Sequence, residues 1–513
     1  MKEMVLFTLA GAAAALSAAA MAACGTTSTV MPGAGVSYED AAAPKFAPAT
    51  VHDPSVFPVG DGQFYVIGSH LASASTKDFI QWKQLTLDWN SRPNMFYPVD
   101  GADPSVQKVR AQIADVMRGA QNDLGFFASD VHRMPNGKFY HYYSITASWY
   151  CSAIGLAVAD TVEGPYVTRG LIVRSGEANT GSKSPDGARA WSQARHPNCI
   201  DPQAFFDEQG HFYLAYGSWS GGIFLLELDP DTGLLKAGVP GNAENDGYGV
   251  KLIRNNHVGI EGPFIIYSPE SRYYYLFTSF GALHAEGGYN IRVFRSRDAA
   301  GPYEDAAHQN VGAEMKAKDI TQYGVKLMGG YQFRKAAGES GLMTTGFLSP
   351  GHNSAWRDPE SGRYFILYHQ RFVGRGEYHE VRAAEFFINE DGWPVIAPFR
   401  WDGGSVRTFT KEALVGTWKL LNHGRDNNTT PHESVTCVFA EDGSISGAAS
   451  GGAGTWSLGA DGKTAHITVG GVPYKGVFLR QWDGDRGMWV QAFTALSADG
   501  TALWGAGAAV KTK

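Results

Sequence analysis

The sequence predicts an all-β protein, a five-bladed β-propeller followed by a small antiparallel β-barrel, and three observations carry that prediction. An aromatic phrase recurs five times, at Gly62-Gln63-Phe64-Tyr65-Val66, Gly137-Lys138-Phe139-Tyr140, Gly210-His211-Phe212-Tyr213-Leu214, Arg272-Tyr273-Tyr274-Tyr275-Leu276 and Gly362-Arg363-Tyr364-Phe365-Ile366. Each is a turn followed by a β-favouring run. With Tyr65, Tyr140, Tyr213, Tyr275 and Phe365 as equivalents, the intervals are 75, 73, 62 and 90 residues, room for about four strands and their loops per unit. Composition agrees, since 63 of 513 residues are Gly, aromatics make up 12 % and charged residues only 18 %, a turn-rich profile unlike a coiled coil or a disordered chain. One small sheet cannot bury both its faces, whereas several packed radially around an axis can. A β-sandwich is the alternative; the echoes Gly164-Pro165-Tyr166 and Gly301-Pro302-Tyr303, late in their units, argue against it.

The N-terminus reads as an export signal. Lys2 opens it, Val5 to Ala20 is apolar and alanine-rich, and Met21-Ala22-Ala23-Cys24 is similar to a bacterial lipobox, with Met21 where Leu is usual. Residues 1–23 are therefore expected to be a signal peptide of the lipoprotein type, with Cys24 acylated; ordinary secretion with cleavage near Ala23 is the alternative. Export implies the periplasm or outer membrane for a lipoprotein and the medium otherwise, oxidising compartments in either case. Residues 24–49, rich in Thr, Ala, Gly and Pro, read as a flexible tether, 50–405 as the propeller and 411–513 as the barrel. A net charge of 43 − 50 = −7 leaves no basic excess for phosphates, so nucleic acid is excluded as a partner, and membrane contact is expected only through Cys24. Cys151, Cys199 and Cys437 lack metal-ligand spacing. Cys151 and Cys199 read as two buried thiols, with a disulfide between neighbouring blades as the speculative alternative.

Within each unit a polar residue precedes the aromatic strand at a nearly constant offset. Asp53 lies 12 before Tyr65, Asp130 lies 10 before Tyr140, Asp201 lies 12 before Tyr213, Glu261 lies 14 before Tyr275 and His352 lies 13 before Phe365. If the aromatic strand is the second of each blade, all five sit on or beside the innermost strand, and four carboxylates and a histidine converge on the channel. One Asp-Pro step alone would be an ordinary strand-entry turn; repetition in register makes it a site. Converging like charges must be relieved by protons, hydrogen bonds or a cation, which suits chemistry better than stability. Two carboxylates in different environments perform acid and base work on a glycosidic bond, and a gap with room for water favours inversion.

At these residues, in Val51-His52-Asp53-Pro54-Ser55, Asn198-Cys199-Ile200-Asp201-Pro202 and Gly259-Ile260-Glu261-Gly262-Pro263, the chain resembles glycoside hydrolase family 43, and within it the endo-α-1,5-L-arabinanases. Ser152-Ala153-Ile154-Gly155-Leu156-Ala157, Ser349-Pro350-Gly351-His352-Asn353-Ser354 and Glu390-Asp391-Gly392-Trp393-Pro394-Val395 extend the resemblance, which spans about residues 48 to 405. It implies Asp53 as general base, Asp201 as the residue that tunes and orients, Glu261 as general acid, and His352 as a channel residue helping to hold a hydrated calcium ion. The implied substrate is plant cell-wall arabinan or arabino-oligosaccharides, cleaved by a monomer. Asp130, Asn198, Trp149, Trp219 and Phe127 are the expected substrate contacts, with Phe126 and Trp191 as further stacking candidates; Trp82 reads as blade packing.

Departures bear on the cleft. Phe127-Ala128-Ser129-Asp130 stands where relatives usually carry Trp-Ala-Pro-Asp, so the substrate-side role of Asp130 is in question. Val106, Val109, Ile113 and Val116 fall at helical spacing between Asp103 and Gly119 and predict a rim helix behind Asp103-Pro104. The loop Ser175 to Gln193 reads as a cleft wall. In the tail, Leu414-Val415-Gly416-Thr417-Trp418, Gly454-Thr455-Trp456 and Tyr474-Lys475-Gly476-Val477-Phe478 are short strands punctuated by Gly, as in a small barrel serving closure or sugar binding. The alternatives are an exo-acting α-L-arabinofuranosidase or β-xylosidase of the same fold, and a non-catalytic glycan-binding lipoprotein, which would not need all three carboxylates.

Overall fold

Each of the five aromatic phrases becomes the second strand of an antiparallel sheet. The computed structural model describes residues 42–508 apart from 92, 98–105, 177–190, 313–316, 340–344, 405–406 and 448–453. The expected signal peptide, Cys24, Asp103-Pro104, most of the Ser175 to Gln193 loop and most of the tether fall outside the described residues. Blade 1 comprises Ser55–Gly60, Gln63–Ile67, Ser73–Thr76 and Trp82–Thr86; blade 2 Phe126–Arg133, Phe139–Ser148, Cys151–Ala159 and Val167–Arg174; blade 3 Gln203–Phe206, Phe212–Tyr216, Gly222–Leu228 and Val250–Arg254. Blade 4 comprises Ile260–Ser268, Tyr273–Phe280, Asn290–Ser296 and Val325–Met328, and blade 5 Phe347–Arg357, Tyr364–Phe372, His379–Ile388 and Pro394–Ile396, which Tyr331–Gln332 and His432–Glu433 extend into a six-stranded sheet.

Burial shows why these sheets close into a ring rather than stack as a sandwich. A separate apolar cluster fills each gap between consecutive blades: Phe57, Phe126 and Tyr143 between 1 and 2; Tyr142, Phe212 and Leu226 between 2 and 3; Phe205, Leu225 and Tyr274 between 3 and 4; Phe277, Tyr364 and Phe386 between 4 and 5; and Phe64, Trp82, Phe365 and Trp401 between 5 and 1. Every sheet thus buries both faces, and Trp82 packs between blades as expected. The last gap is also pinned by the N-terminal segment. Ala47 bonds with Ile80 and Trp82 of blade 1, and Ala49 O accepts the N–H of Val381 in blade 5 at 2.9 Å. The tether read as 24–49 therefore ends earlier, because its last residues are part of the ring closure.

The tail forms a closed eight-stranded antiparallel barrel from Gly416–Asn422 to Ala502–Gly507, filled by Trp418, Phe439, Trp456, Phe478 and Phe493. It is fastened to the propeller by buried ions. Lys419 of the barrel meets Glu339 at 3.1 Å with neither side chain exposed, and Lys326 of blade 4 donates to the carbonyl of His423 at 2.8 Å.

One local expectation is corrected and another is borne out. The stretch read as one rim helix is two short ones, Val106–Gln112 and Ala114–Gly119; their buried face, Val109, Ile113, Val116 and Met117, packs with Ile145, Ala153 and Ala157 of blade 2, so the apolar stripe serves the core and not the cleft. Cys151 and Cys199 are buried thiols with no disulfide between them, lining strand and channel-entry segments as small apolar groups.

Candidate active site

The register of the blades places four of the five channel residues at one level. Asp53 and Asp201 stand two residues before the first strands of blades 1 and 3, and Glu261 pairs across blade 4 with Ser279, four residues beyond the blade's reference Tyr275. His352 follows Gly351, which pairs with His369, four beyond Phe365. Asp130 instead pairs with Tyr142, only two beyond Tyr140. Its shorter offset puts it one alternation further along its strand, and it joins a lower layer. There its oxygens accept from Ser55 Oγ and, at 2.8 Å, from the Ala204 N–H. Asp130 is thus a strut linking blades 1, 2 and 3, in place of the substrate contact that the sequence suggested.

The upper layer is strained and buried. Asp53, Asp201 and His352 have φ of 57°, 60° and 42°, the left-handed region that non-glycine residues enter only where the surroundings enforce it. At Gly262, with φ +60°, a side chain would be strained and would press on the His352 ring, 3.1 Å from where its Cβ would stand. Asp53 Oδ1 lies 2.8 Å from His52 Nδ1 and 3.2 Å from His352 Nδ1, and Ser69 Oγ donates to Oδ2. Burial alone would raise the Asp53 pKa; the charge of His352 and the hydrogen bonds from His352 and His52 outweigh it and hold the carboxyl well below its usual range.

Glu261 meets only neutral donors. Ser218 Oγ donates to Oε2 and Tyr289 Oη to Oε1, both at 2.8 Å, and burial raises its pKa against the pull of His352 and these hydroxyls. Asp201, which accepts the Gly262 N–H at 3.2 Å, is pushed up by burial to about 8, with Glu261 and Asp53 adding to the rise and His352 opposing it. For His352 the balance reverses: burial disfavours its charge, but Asp53, Asp201 and Glu261 together raise its pKa to about 9.

Above Glu261 opens a cleft of about 490 Å³ lined by Phe127, Trp149, Asn198, Ser218, Trp219 and Leu283, among others. Four residues singled out from sequence, Phe127, Trp149, Asn198 and Trp219, therefore meet Glu261 in one cavity. Trp149 is 46 % exposed and stands 6.3 Å from Trp219, with His257 edge-on to it at 4.9 Å, a wall of rings open on one side. Asn198 Oδ1 is buried with no hydrogen-bond partner among the described residues, an acceptor placed for a hydroxyl donor. Phe126 lies in the core, and Trp191 packs on Tyr150 and donates to Pro197 O at 3.1 Å; neither lines this cavity. Sequence reasoning missed Ser69, Ser218, His257 and Tyr289, whose residue types carry no signal until the blades are closed, and His52, whose place beside Asp53 was visible.

A cation fits His352 better than its neighbours. His52, Asp53 and His369 bring three ligand atoms within 4.8 Å of one another, but both ring nitrogens of His52 are engaged, by Asp53 and by Arg371, and its ring stacks on His369 at 4.1 Å. His352 faces the channel beside three carboxylates whose summed negative charge already draws a proton to it. One imidazole with nearby oxygens suits a hydrated hard ion and not a closed cage.

Known proteins resemble the chain over most of its length. Residues 46–394 match the model for glycosyl hydrolases family 43, and residues 398–505 match that for a C-terminal lipocalin-like domain. Extracellular endo-alpha-(1->5)-L-arabinanase 2 of Bacillus subtilis is 42 % identical over 471 residues, covering 90 % of this chain and 94 % of the relative, and the extracellular endo-alpha-(1->5)-L-arabinanase of Thermotoga petrophila is 39 % identical over 466 residues, with the same coverage. The crystal structure of the endo-1,5-alpha-L-arabinanase from Thermotoga petrophila superposes with a TM-score of 0.81 at 38 % identity, and that of a family 43 glycoside hydrolase from Bacillus licheniformis with 0.80 at 40 %, each covering 90 % of this chain and 99 % of the other.

Proposed function

We propose, from the premise that the chain belongs to glycosyl hydrolases family 43, that it is an inverting endo-acting hydrolase of the α-1,5-L-arabinofuranosyl linkages in arabinan. One observation carries the mechanism: two carboxylates on non-adjacent blades are driven in opposite directions, Asp53 toward its ionised form and Glu261 toward its acid form. Such a split assigns base and acid. Asp53 takes a proton from the water that attacks the anomeric carbon, and Glu261 gives its proton to the departing glycosidic oxygen on the opposite face. One water is added across one C–O bond, with inversion. Between turnovers Asp53 loses a proton to solvent and Glu261 regains one. Asp201 acts on the acid by holding the Gly262 N–H beside it.

Trp149, Trp219 and Phe127 offer faces to furanose rings, and Asn198 Oδ1 accepts a sugar hydroxyl. His352 holds the hydrated calcium ion, which when bound supplies positive charge against the crowded carboxylates. The names of the extracellular arabinanases that match over nine-tenths of the chain support both the substrate and export. Residues 1–23 direct that export and Cys24 anchors the enzyme through lipid, so Cys24→Ser should move activity from the membrane to the soluble fraction.

The test is digestion of debranched arabinan. Early products should be oligosaccharides of mixed length, and proton NMR should detect the newly formed anomeric centre as β before mutarotation. Release of arabinose alone would exclude endo action, and a new α centre would exclude inversion.

A further inference from the structure

Against Asp53 lies a packed group of histidines and an arginine that the reaction as described does not use. Arg371, from the second strand of blade 5, is 4 % exposed at its side chain, and its donors are directed by the protein: Nε to the Leu283 carbonyl at 2.9 Å, Nη1 to that of Glu377 at 2.7 Å, and Nη2 to His52 Nε2 at 3.1 Å. A guanidinium has no acceptor. His52 Nε2 must therefore receive that hydrogen bond, and the ring's proton sits on Nδ1, which is 2.8 Å from Asp53 Oδ1. The ring cannot turn away, because His369 stacks on it at 4.1 Å and 17° while His379 meets its edge at 5.1 Å. Tyr289 stacks in turn on His369 at 5.7 Å, and the Asp53 N–H donates to His369 Nδ1 at 3.4 Å.

We infer that His52 is the positioning residue of the base: Arg371 fixes its tautomer, and its Nδ1–H fixes the orientation of the Asp53 carboxylate. This rests on the reading of Asp53 as general base. His52 touches no substrate in this scheme. It acts through Asp53, as a partner behind a reacting group fixes that group's tautomer and direction.

The test uses the full-length enzyme on debranched arabinan, with three variants. His52→Asn keeps an N–H where Nδ1 stands, whereas His52→Leu keeps the bulk and removes the donor. We expect His52→Leu to lower kcat by about 10- to 100-fold with KM nearly unchanged, and His52→Asn to recover most of that loss at a similar melting temperature. Equal losses in both variants would reduce His52 to packing, and an active His52→Leu beside an inactive Asp53→Asn would remove the positioning role while leaving the base. An active Asp53→Asn would overturn the base assignment and this inference with it. A readout independent of turnover and of variant folding is the ring ¹⁵N NMR spectrum of the unmodified enzyme, in which the His52 signal should report the Nδ1–H tautomer; the Nε2–H tautomer would overturn the inference.

Discussion

The two sides of the channel bury carboxyl groups alike and treat them in opposite ways. On the side of blades 1 and 5, Asp53 faces imidazoles, His52 at 2.8 Å and His352 at 3.2 Å, with His369 behind them. On the side of blades 3 and 4, Glu261 receives only the hydroxyls of Ser218 and Tyr289, and Asp201 the Gly262 N–H. Desolvation pushes every carboxyl here upward. Only the imidazole side reverses the push, so the neighbours, and not burial, decide which carboxyl is the base.

The largest effects should come from removing one side at a time. Asp53→Asn is expected to lower kcat by about 10²–10⁴-fold on arabinan and to fail as badly on an aryl arabinofuranoside with an acidic leaving group. Glu261→Gln should match that loss on the polymer yet retain most of its rate on the aryl substrate, which needs little protonation. Equal behaviour on both substrates would mean that the sides do not divide the work.

Next is the shared cation. Chelation should lower both kcat and Tm, calcium should restore them, and His352→Ala should abolish the response, with a rate loss of about 10- to 100-fold; an enzyme indifferent to chelator would remove the calcium role. Without calcium, the sign of the pH dependence follows from the raised groups. His352, at about 9 against 6.5, and Asp201, at about 8 against 3.8, each hold in the folded state a proton that the unfolded chain releases earlier. Their stabilisation is complete below the unfolded values and is lost as pH rises toward 8–9. Calorimetry should show Tm falling over that window, less steeply with calcium present.

Smaller effects sharpen the acid side. Trp219→Ala should raise KM by up to about tenfold through lost stacking and leave kcat nearly intact. Tyr289→Phe deletes a hydrogen bond that favours ionised Glu261, worth about 1.5 kcal/mol. The basic limb of kcat/KM should then move up by about one pH unit, and a downward move would reverse the acid assignment. Smallest for activity is Ser55→Ala, which strips one partner from the Asp130 strut; denaturation should show a loss of about 1–3 kcal/mol with turnover little changed.

The unequal roles of Asp130 and Asp53 show where sequence reading reached its limit. Both looked like channel carboxylates, and the offset of 10 in place of 12 to 14 was already the sign that Asp130 belongs to another layer. Its weight became readable only once Tyr142 was seen to be its partner. The apolar stripe at Val109, Ile113 and Val116 was equally real and equally ambiguous, since helical spacing specifies a buried face without saying what buries it.

By itself the sequence determined what is periodic: five aromatic strands, the punctuating glycines, and the level at which Asp53, Asp201, Glu261 and His352 would stand. Those are local consequences of alternation along a strand and of repeated blade length. Only the tertiary structure decided the chemistry of each group. Asp53 is held by His369 from 316 residues away, Glu261 is bonded by Ser218 and Tyr289 from loops of blades 3 and 4, and Asn198 and Trp149 line one cleft from neighbouring blades. A pKa depends on what lies within a few ångströms in space, and chain closure chooses those neighbours with no periodic trace in the sequence.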